Sequence, residues 1–379
     1  MPPKAQSPDA ADARWMALAL AEGRKGLGLT RPNPAVGAVV VRNGRLISTG
    51  WHQAAGTPHA EVHALRGAGE RARGATLYIT LEPCSTHGRT PPCTGAIRAA
   101  GIARVVVGAV DPNPAHAGAG LRLLRRAGVD CVSGVLQTEA EALIRGFARW
   151  ITTGLPRVTL KMAVTLDGRI ADASGRSKWI TGPAARERVQ QIRRESDAIL
   201  VGAGTVIADD PSLLPRPDGG RRPLRVIVDG AGRCPATRRV FTDEHAAQTL
   251  VLTSASSSPR WRDRIARGGA RVVVAGRGVQ LRPAAILRQL GREGVTSVLC
   301  EGGGTLAGAF LKARCVDELQ WFIAPRLLGD RAVPVVSATG WTLPAHPGFT
   351  LRNVELLAPD VLLTLAADPG KVPVTGTSR

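Results

Sequence analysis

Two α/β domains in series are what this sequence predicts. Three observations predict them. Strand and helix signals alternate through the first 150 residues, the alternation restarts at Pro156, and 379 residues with 44% hydrophobic content are enough for two cores.

In the first domain, "VGAVVV" (36–41) and "RLISTG" (45–50) read as strands joined by a turn at Asn43-Gly44. "HAEVHALRGAGERA" (59–72) reads as a helix, "ATLYITL" (75–81) as a strand and "CTGAIRAAG" (93–101) as a short helix. "ARVVVGAV" (103–110), "GLRLLRRAG" (120–128) and "VDCVSGV" (129–135) continue the alternation. The segment "TEAEALIRGFARWITTG" predicts one helix that opens on a Thr138/Glu141 capping box and stops at Gly154-Leu155-Pro156. Strands sandwiched by helices in this way make a three-layer domain over residues 1–150.

The second domain, residues 156–368, opens with a strand at "RVTLKMAVT" (157–165) and a helix at "PAARERVQQIRRES" (183–196). "AILVGAGTV" (198–206), "PLRVIVD" (223–229), "QTLVLTS" (248–254) and "ARVVVAG" (270–276) predict further strands. "SVLCEGGGTLAGAFLKARC" reads as strand, glycine turn and helix. "DELQWFIAPRLLG" (317–329) and "FTLRNVELLAPDVLLTLA" (349–366) close the domain as strands. Residues 1–10 and 369–379 are polar and rich in Pro or Gly, which predicts disordered tails.

Composition narrows the function. No apolar run reaches the roughly 18 residues of a membrane span, and the N-terminal stretch lacks the apolar core of a secretory signal. A cytoplasmic protein with reduced thiols is expected, and no membrane partner. The formal charge of +20 points toward nucleic acid, but 44 of the 50 basic residues are arginine and the excess is spread over both halves. With 3% aromatic residues there is little to stack on bases, so no specific nucleic-acid partner is expected. A homo-oligomer acting on a small molecule is.

The stretch "EPCSTHGRTPPC" (82–93) holds two of the six cysteines in a proline-stiffened loop. Upstream, "TPHAEVHAL" places His59 and Glu61 at a helix start. His59, Cys84 and Cys93 supply three ligands for a tetrahedral zinc with the fourth position open, the mark of a catalytic site. Zinc lowers the pKa of a bound water, and Glu61 is placed to take that proton and return it to a leaving amine. The pattern is that of zinc nucleobase deaminases, His-x-Glu followed by Pro-Cys-x-x-Cys, with eight residues rather than two between the cysteines. Three other readings stay open on the residues alone. "HAEVH" can be compared with the zinc-protease motif through His63, His87 can close a structural zinc site, and the cysteines can be unrelated core residues.

Further segments carry a resemblance. "RPNPAVGAVVV", "GWHQAAGTPHAEVHAL", "TLEPCSTHGRTPPC" and "DPNP" resemble the deaminase domain of the bifunctional riboflavin-biosynthesis deaminase–reductases. "LKMAVTLDGRIA", "SKWIT", "VGAGTVIADDP", "EGGGTLAGAFL" and "VDELQWFIAPRLLG" resemble their reductase half. The resemblance spans about residues 13–366. It implies an N-terminal cytidine-deaminase-like three-layer α/β/α domain and a C-terminal dihydrofolate-reductase-like α/β domain. It also implies a phosphoribosyl pyrimidine substrate, 2,5-diamino-6-(5-phosphoribosylamino)pyrimidin-4(3H)-one. This is deaminated, and its ribosyl group is then reduced to ribityl with NADPH.

By the same resemblance, His59, Cys84 and Cys93 bind zinc and Glu61 shuttles the proton. Ala163, Trp179, Thr205, Asp209 and the turn Gly303, Gly304, Thr305, Leu306, Ala307, Gly308 and Ala309 line the NADPH. Ser177, Arg193, Leu213, Arg216 and Glu301 face the substrate, with arginines suited to its phosphate. On the residues alone, "EGGGTL" is either an anion-binding helix start or a plain tight turn, and "VGAGTVI" lacks the third glycine of a dinucleotide fingerprint. No side chain stands out as the proton donor of the reduction. The chain departs from the family at Gly175-Arg176-Ser177, where relatives often have Gly-Glu-Ser, and at Leu214-Pro215-Arg216, where Pro215 restricts the loop presenting Arg216.

Overall fold

The computed structural model describes residues 10–88, 91–217, 222–337 and 340–368. The predicted tails, apart from Ala10, lie outside the described residues, as do Arg89 and Thr90 of the cysteine loop. The chain divides into two compact units between Thr153 and Gly154.

The first unit runs α1 (Ala10–Arg24), β1 (Gly37–Arg42), β2 (Arg45–Trp51), α2 (Ala60–Ala68), β3 (Thr76–Leu81), α3 (Cys93–Ala99), β4 (Arg104–Ala109), α4 (Ala119–Arg126), β5 (Asp130–Ser133), α5 (Gln137–Leu143) and α6 (Arg145–Thr153). Its five-stranded sheet has the order β2-β1-β3-β4-β5. The β1–β2 and β1–β3 pairs are antiparallel, and β3–β4–β5 are parallel. The central strands are short apolar runs, such as Val105-Val106-Val107, fully buried because helices cover both faces.

Two elements differ from the sequence reading. The helix α1 is not among the predicted elements, although Trp15, Met16, Ala19 and Leu20 repeat at helical spacing and are buried. The single predicted helix over 138–154 is two, broken at Ile144. The first begins at Gln137 with Leu136 as a left-handed cap, so the Thr138/Glu141 box does not form. Instead Gln137 Nε2 donates to Glu141 Oε1 at 2.6 Å, one turn along α5.

The second unit contains β6 (Arg157–Thr165), β7 (Arg169–Ala171), α7 (Pro183–Arg194), β8 (Ala198–Gly202), α8 (Ala203–Asp209), β9 (Leu224–Val228), α9 (Arg239–Thr242), β10 (Thr249–Ser254) and α10 (Pro259–Arg267). It continues with β11 (Arg271–Gly276), α11 (Pro283–Arg292), β12 (Ser297–Cys300), α12 (Gly304–Lys312), β13 (Glu318–Ala324), β14 (Val333–Pro334), β15 (Phe349–Leu357) and β16 (Asp360–Ala367). Nine strands form one sheet, β11-β10-β9-β8-β12-β6-β13-β16-β15. Pairing is parallel from β11 through β13 and antiparallel in the closing β16–β15 edge. Alternation along β8 splits its side chains between two cores: Ala198 and Leu200 face one, Ile199 and Val201 the other. The predicted strand 198–206 ends early, because residues from Ala203 form α8 with Ala203 and Val206 buried.

Candidate active sites

The first site is built at three chain reversals around β3. His59 caps the N-terminus of α2 in an extended conformation. That helix lies hard against β2: a Cβ on Gly50 would fall 2.5 Å from both the Ala60 carbonyl oxygen and the Ala64 nitrogen, so only glycine permits the contact. Cys84 follows the end of β3, and Cys93 is the first residue of α3. The Cys93 N–H donates to Cys84 Sγ at 3.3 Å, and the Thr94 N–H to the Cys84 carbonyl at 3.3 Å. His59 Nδ1 lies 3.2 Å from Cys93 Sγ and 3.7 Å from Cys84 Sγ. One nitrogen and two sulfurs thus sit within 4.8 Å of one another.

The electrostatics suit a cation. Hydrogen bonding with Cys93 and His59 holds the Cys84 thiol well below its ordinary range, at about 4. The neighbouring Cys84 sulfur and burial push Cys93 upward, so the pair retains a proton. A divalent ion bound between them would make both thiolates. The donor set and its spacing fit zinc. Glu61, on the first turn of α2, is 3% exposed. Burial raises its carboxyl from 4.5 to about 7, partly offset by His59. His87 is exposed and His63 stands outside the cluster, so among the described residues neither the closed site nor the zinc-protease arrangement is assembled.

The second site is a cavity of about 1660 Å³ in the second unit. It brings together Ala163, Ser177, Trp179, Arg193, Thr205, Asp209, Leu213, Arg216, Glu301 and the 303–309 turn except Ala307. Ala307 is fully buried on the core side of α12. Arg193 and Glu301 form a two-bond ion pair at 3.0 and 2.5 Å. Ser177 Oγ donates to Asp209 Oδ1 at 3.2 Å. Gly304 is fixed by close approach, since a Cβ there would lie 2.7 Å from the Pro334 carbonyl oxygen. Pro215 is buried in the loop that carries Arg216. The Arg216 N–H is held by Gln190 Oε1 at 2.9 Å, and the residue itself stays exposed at the cavity wall.

Comparison with known proteins gives two family models on this chain. One, described as the cytidine and deoxycytidylate deaminase zinc-binding region, matches residues 9–109. The other, the RibD C-terminal domain, matches residues 156–363. The riboflavin biosynthesis protein RibD of Escherichia coli K12 is 42% identical over 368 residues, covering 93% of this chain and 99% of the relative. That of Bacillus amyloliquefaciens is 43% identical over 360 residues, covering 94% and 96%. The chain belongs to the RibD family of riboflavin-biosynthesis proteins. Solved structures agree. RibD of Acinetobacter baumannii is 40% identical with a TM-score of 0.85, over 94% of this chain and 99% of that one. The Thermotoga maritima deaminase/reductase is 38% identical with a TM-score of 0.85 and the same coverage. As a RibD family member, the chain joins a deaminase domain to a reductase domain, as the motifs imply.

Within this RibD fold, several polar residues sit at the sites that the sequence reading did not single out. His52 is 2% exposed beside His59, ring centroids 5.2 Å apart. Burial lowers its pKa. Its Nδ1–H donates to the Pro58 carbonyl at 3.1 Å, leaving Nε2 to accept from Asn33 Nδ2 at 3.1 Å. Both residues lie in quoted motifs, "RPNP" and "GWHQ". Glu82 accepts from the N–H groups of Asp111, Gly118 and Leu121 at 3.2, 2.8 and 3.2 Å, tying the "DPNP" loop to the cysteine strand. In the reductase cavity, Lys161 projects from the same face of β6 as Ala163, two residues away. Burial lowers its pKa, opposed by Glu301 and reinforced by Arg193. A lone lysine in an alternating strand is the signal that could have marked it.

Proposed function

We propose that the chain deaminates 2,5-diamino-6-(5-phosphoribosylamino)pyrimidin-4(3H)-one and then reduces the ribosyl group of 5-amino-6-(5-phosphoribosylamino)uracil to ribityl. The Thermotoga maritima relative, a diaminohydroxyphosphoribosylaminopyrimidine deaminase and 5-amino-6-(5-phosphoribosylamino)uracil reductase, supports the pairing of substrates. The observation that carries the deaminase half is the convergence of His59, Cys84 and Cys93 with the buried Glu61.

In this reading His59, Cys84 and Cys93 hold zinc, which when bound supplies Lewis acidity toward water. Glu61, buried two residues from His59, takes a proton from the attacking water and passes it to the departing amine nitrogen. Water adds to the ring carbon, the carbon–nitrogen bond breaks, and ammonia leaves a carbonyl behind. His52 and Asn33 fix the Pro58 carbonyl at the entry to α2 and so hold His59 in place.

In the reductase half, NADPH, when bound, would supply a hydride. The 303–309 turn without Ala307, with Thr205, Asp209, Ala163 and Trp179, would line its position, and Ser177, Arg193, Leu213, Arg216 and Glu301 the substrate's; all of these line the one cavity. Lys161 is the N–H donor of the substrate end, and Glu301, locked by Arg193, keeps that end polar. The zinc ligands need reduced thiols, which fits the cytoplasm. Incubation of the purified chain with the diaminopyrimidinone tests the reading. Mass analysis should show exchange of an amine for an oxygen without NADPH, and a further gain of two hydrogens with it. An unchanged substrate in both arms would refute it.

A further inference from the structure

Trp179 lines the reductase cavity from the segment between β7 and α7, and it is 64% exposed. A large aromatic side chain this open keeps one orientation only if something holds it. Two arginines do. The Arg186 guanidinium carbon lies 4.7 Å from the centroid of the indole ring, inside the roughly 6 Å range of a cation–π contact. Arg326 Nη1, from the segment after β13, donates to the Trp179 carbonyl oxygen at 3.1 Å. Arg186 is itself fixed, since its Nη1 donates to the carbonyl of buried Thr181 at 2.8 Å. It pairs with no carboxylate among the described residues. Near the start of α7 it shares one helix face with Arg193, seven residues on, and both line the cavity. Ala185 and Ile192 turn the other way, into the core.

We propose that Arg186 is a positioning residue of the reductase: it stacks on one face of Trp179 and holds the indole as a flat wall of the cavity, leaving the other face to the reductant. The inference rests on the cofactor reading above, in which Trp179 lies against NADPH, and adds what keeps Trp179 there. The type of side chain matters to this task. A guanidinium is planar and weakly hydrated, so it lies flat on an aromatic ring while its N–H groups stay bonded at the edge, here to Thr181. A lysine ammonium is a compact, strongly hydrated point charge and offers no such surface. Because α7 also carries Arg193, the wall against the reductant and the ion pair with Glu301 are built on one rigid element.

A double-mutant cycle in the full-length protein tests this without turnover, with the dissociation constant of NADPH read from the fluorescence of the bound dihydronicotinamide. Arg186→Met should weaken NADPH binding at least about fivefold. The side chain lies outside the buried clusters, so a methionine of similar length leaves them intact. In a Trp179→Leu background, itself weakened, the same substitution should change the constant by less than about twofold, because the ring it acts on is gone. Arg186→Lys should recover only part of the loss. Effects that multiply across the two backgrounds, as a purely structural role or a direct contact with NADPH would give, overturn the inference. Full recovery with lysine, or unchanged affinity in Arg186→Met, overturns it too. Failure of NADPH to bind the unsubstituted protein, or equally tight binding by Trp179→Leu, would instead overturn the cofactor reading beneath it.

Discussion

Cys93 and Glu61 lie in the first turns of neighbouring helices, and in the proposed function each has a single chemical task that a near-isosteric substitution removes. Cys93→Ser replaces a thiolate with a poor zinc ligand, so metal analysis should show most of the roughly one zinc per chain lost. Glu61→Gln keeps shape but cannot shuttle a proton; it should retain zinc while deamination falls by about 10²–10⁴-fold. The same substitution has a stability signature in zinc-stripped protein. Burial raises the Glu61 carboxyl from 4.5 in the unfolded chain to about 7 in the folded one. The folded state therefore binds the extra proton, and wild type loses stability as pH climbs from about 4.5 to 7. Glutamine does not titrate, so the zinc-free variant should gain on wild type across that window, by about 3 kcal/mol above it. Paired denaturant curves at pH 5 and pH 8 would expose a gap that fails to widen. The residues legible in the sequence are those whose chemistry admits few alternatives: an imidazole, two thiols and a carboxylate at fixed spacing. Lys161, His52 and Glu82 escape because each is ordinary where it stands, and only the fold shows what it faces.

At the level of elements, the strands are legible because burial on both faces demands continuous apolar runs, as in "AILVG" and "RVVVGA". The reading errs where local preference and packing disagree. Thr205, Val206 and Ile207 favour a strand by composition, yet Ala203 and Val206 pack inward as a short helix that turns Thr205 and Asp209 toward the cavity. The continuous helical pattern over 138–154 hides a break at Ile144, which is 3% exposed and packed in the core. Helix placement also carries function. Because a Cβ on Gly50 would meet backbone atoms of α2 on two sides, Gly50→Ala must push that helix off β2 and carry His59 and Glu61 with it. Overpacking of this kind costs about 1–3 kcal/mol. The variant should hold less zinc and deaminate at least about tenfold more slowly, with NADPH oxidation on deaminated substrate unchanged. Full zinc occupancy and normal deamination in the variant would show that α2 has slack at this contact.

For the whole molecule, each unit has its own sheet and its own buried clusters, one in the first and two in the second. The chemistry imposes an order on them. In the proposed function, Lys161, which lines the reductase cavity, would offer an N–H donor to the substrate, where a ring carbonyl can accept and an exocyclic amine would present a second donor. A site built to donate to a carbonyl rejects the aminated analogue because its buried donor is left unpaired. Full-length Glu61→Gln isolates this preference, since its reductase unit is untouched and its deaminase cannot convert one substrate into the other. It should oxidise NADPH at a near-normal rate with the deaminated uracil and far more slowly with the diamino precursor. Lys161→Met should narrow that difference mainly by slowing the uracil reaction. Residues 156–379 expressed alone should repeat the preference if the second unit is self-sufficient, but the full-length variant decides the matter without depending on the fragment's solubility. If it reduces both pyrimidines equally fast, the reductase does not read the deaminated position, and the sequence of deamination before reduction is not enforced by this cavity.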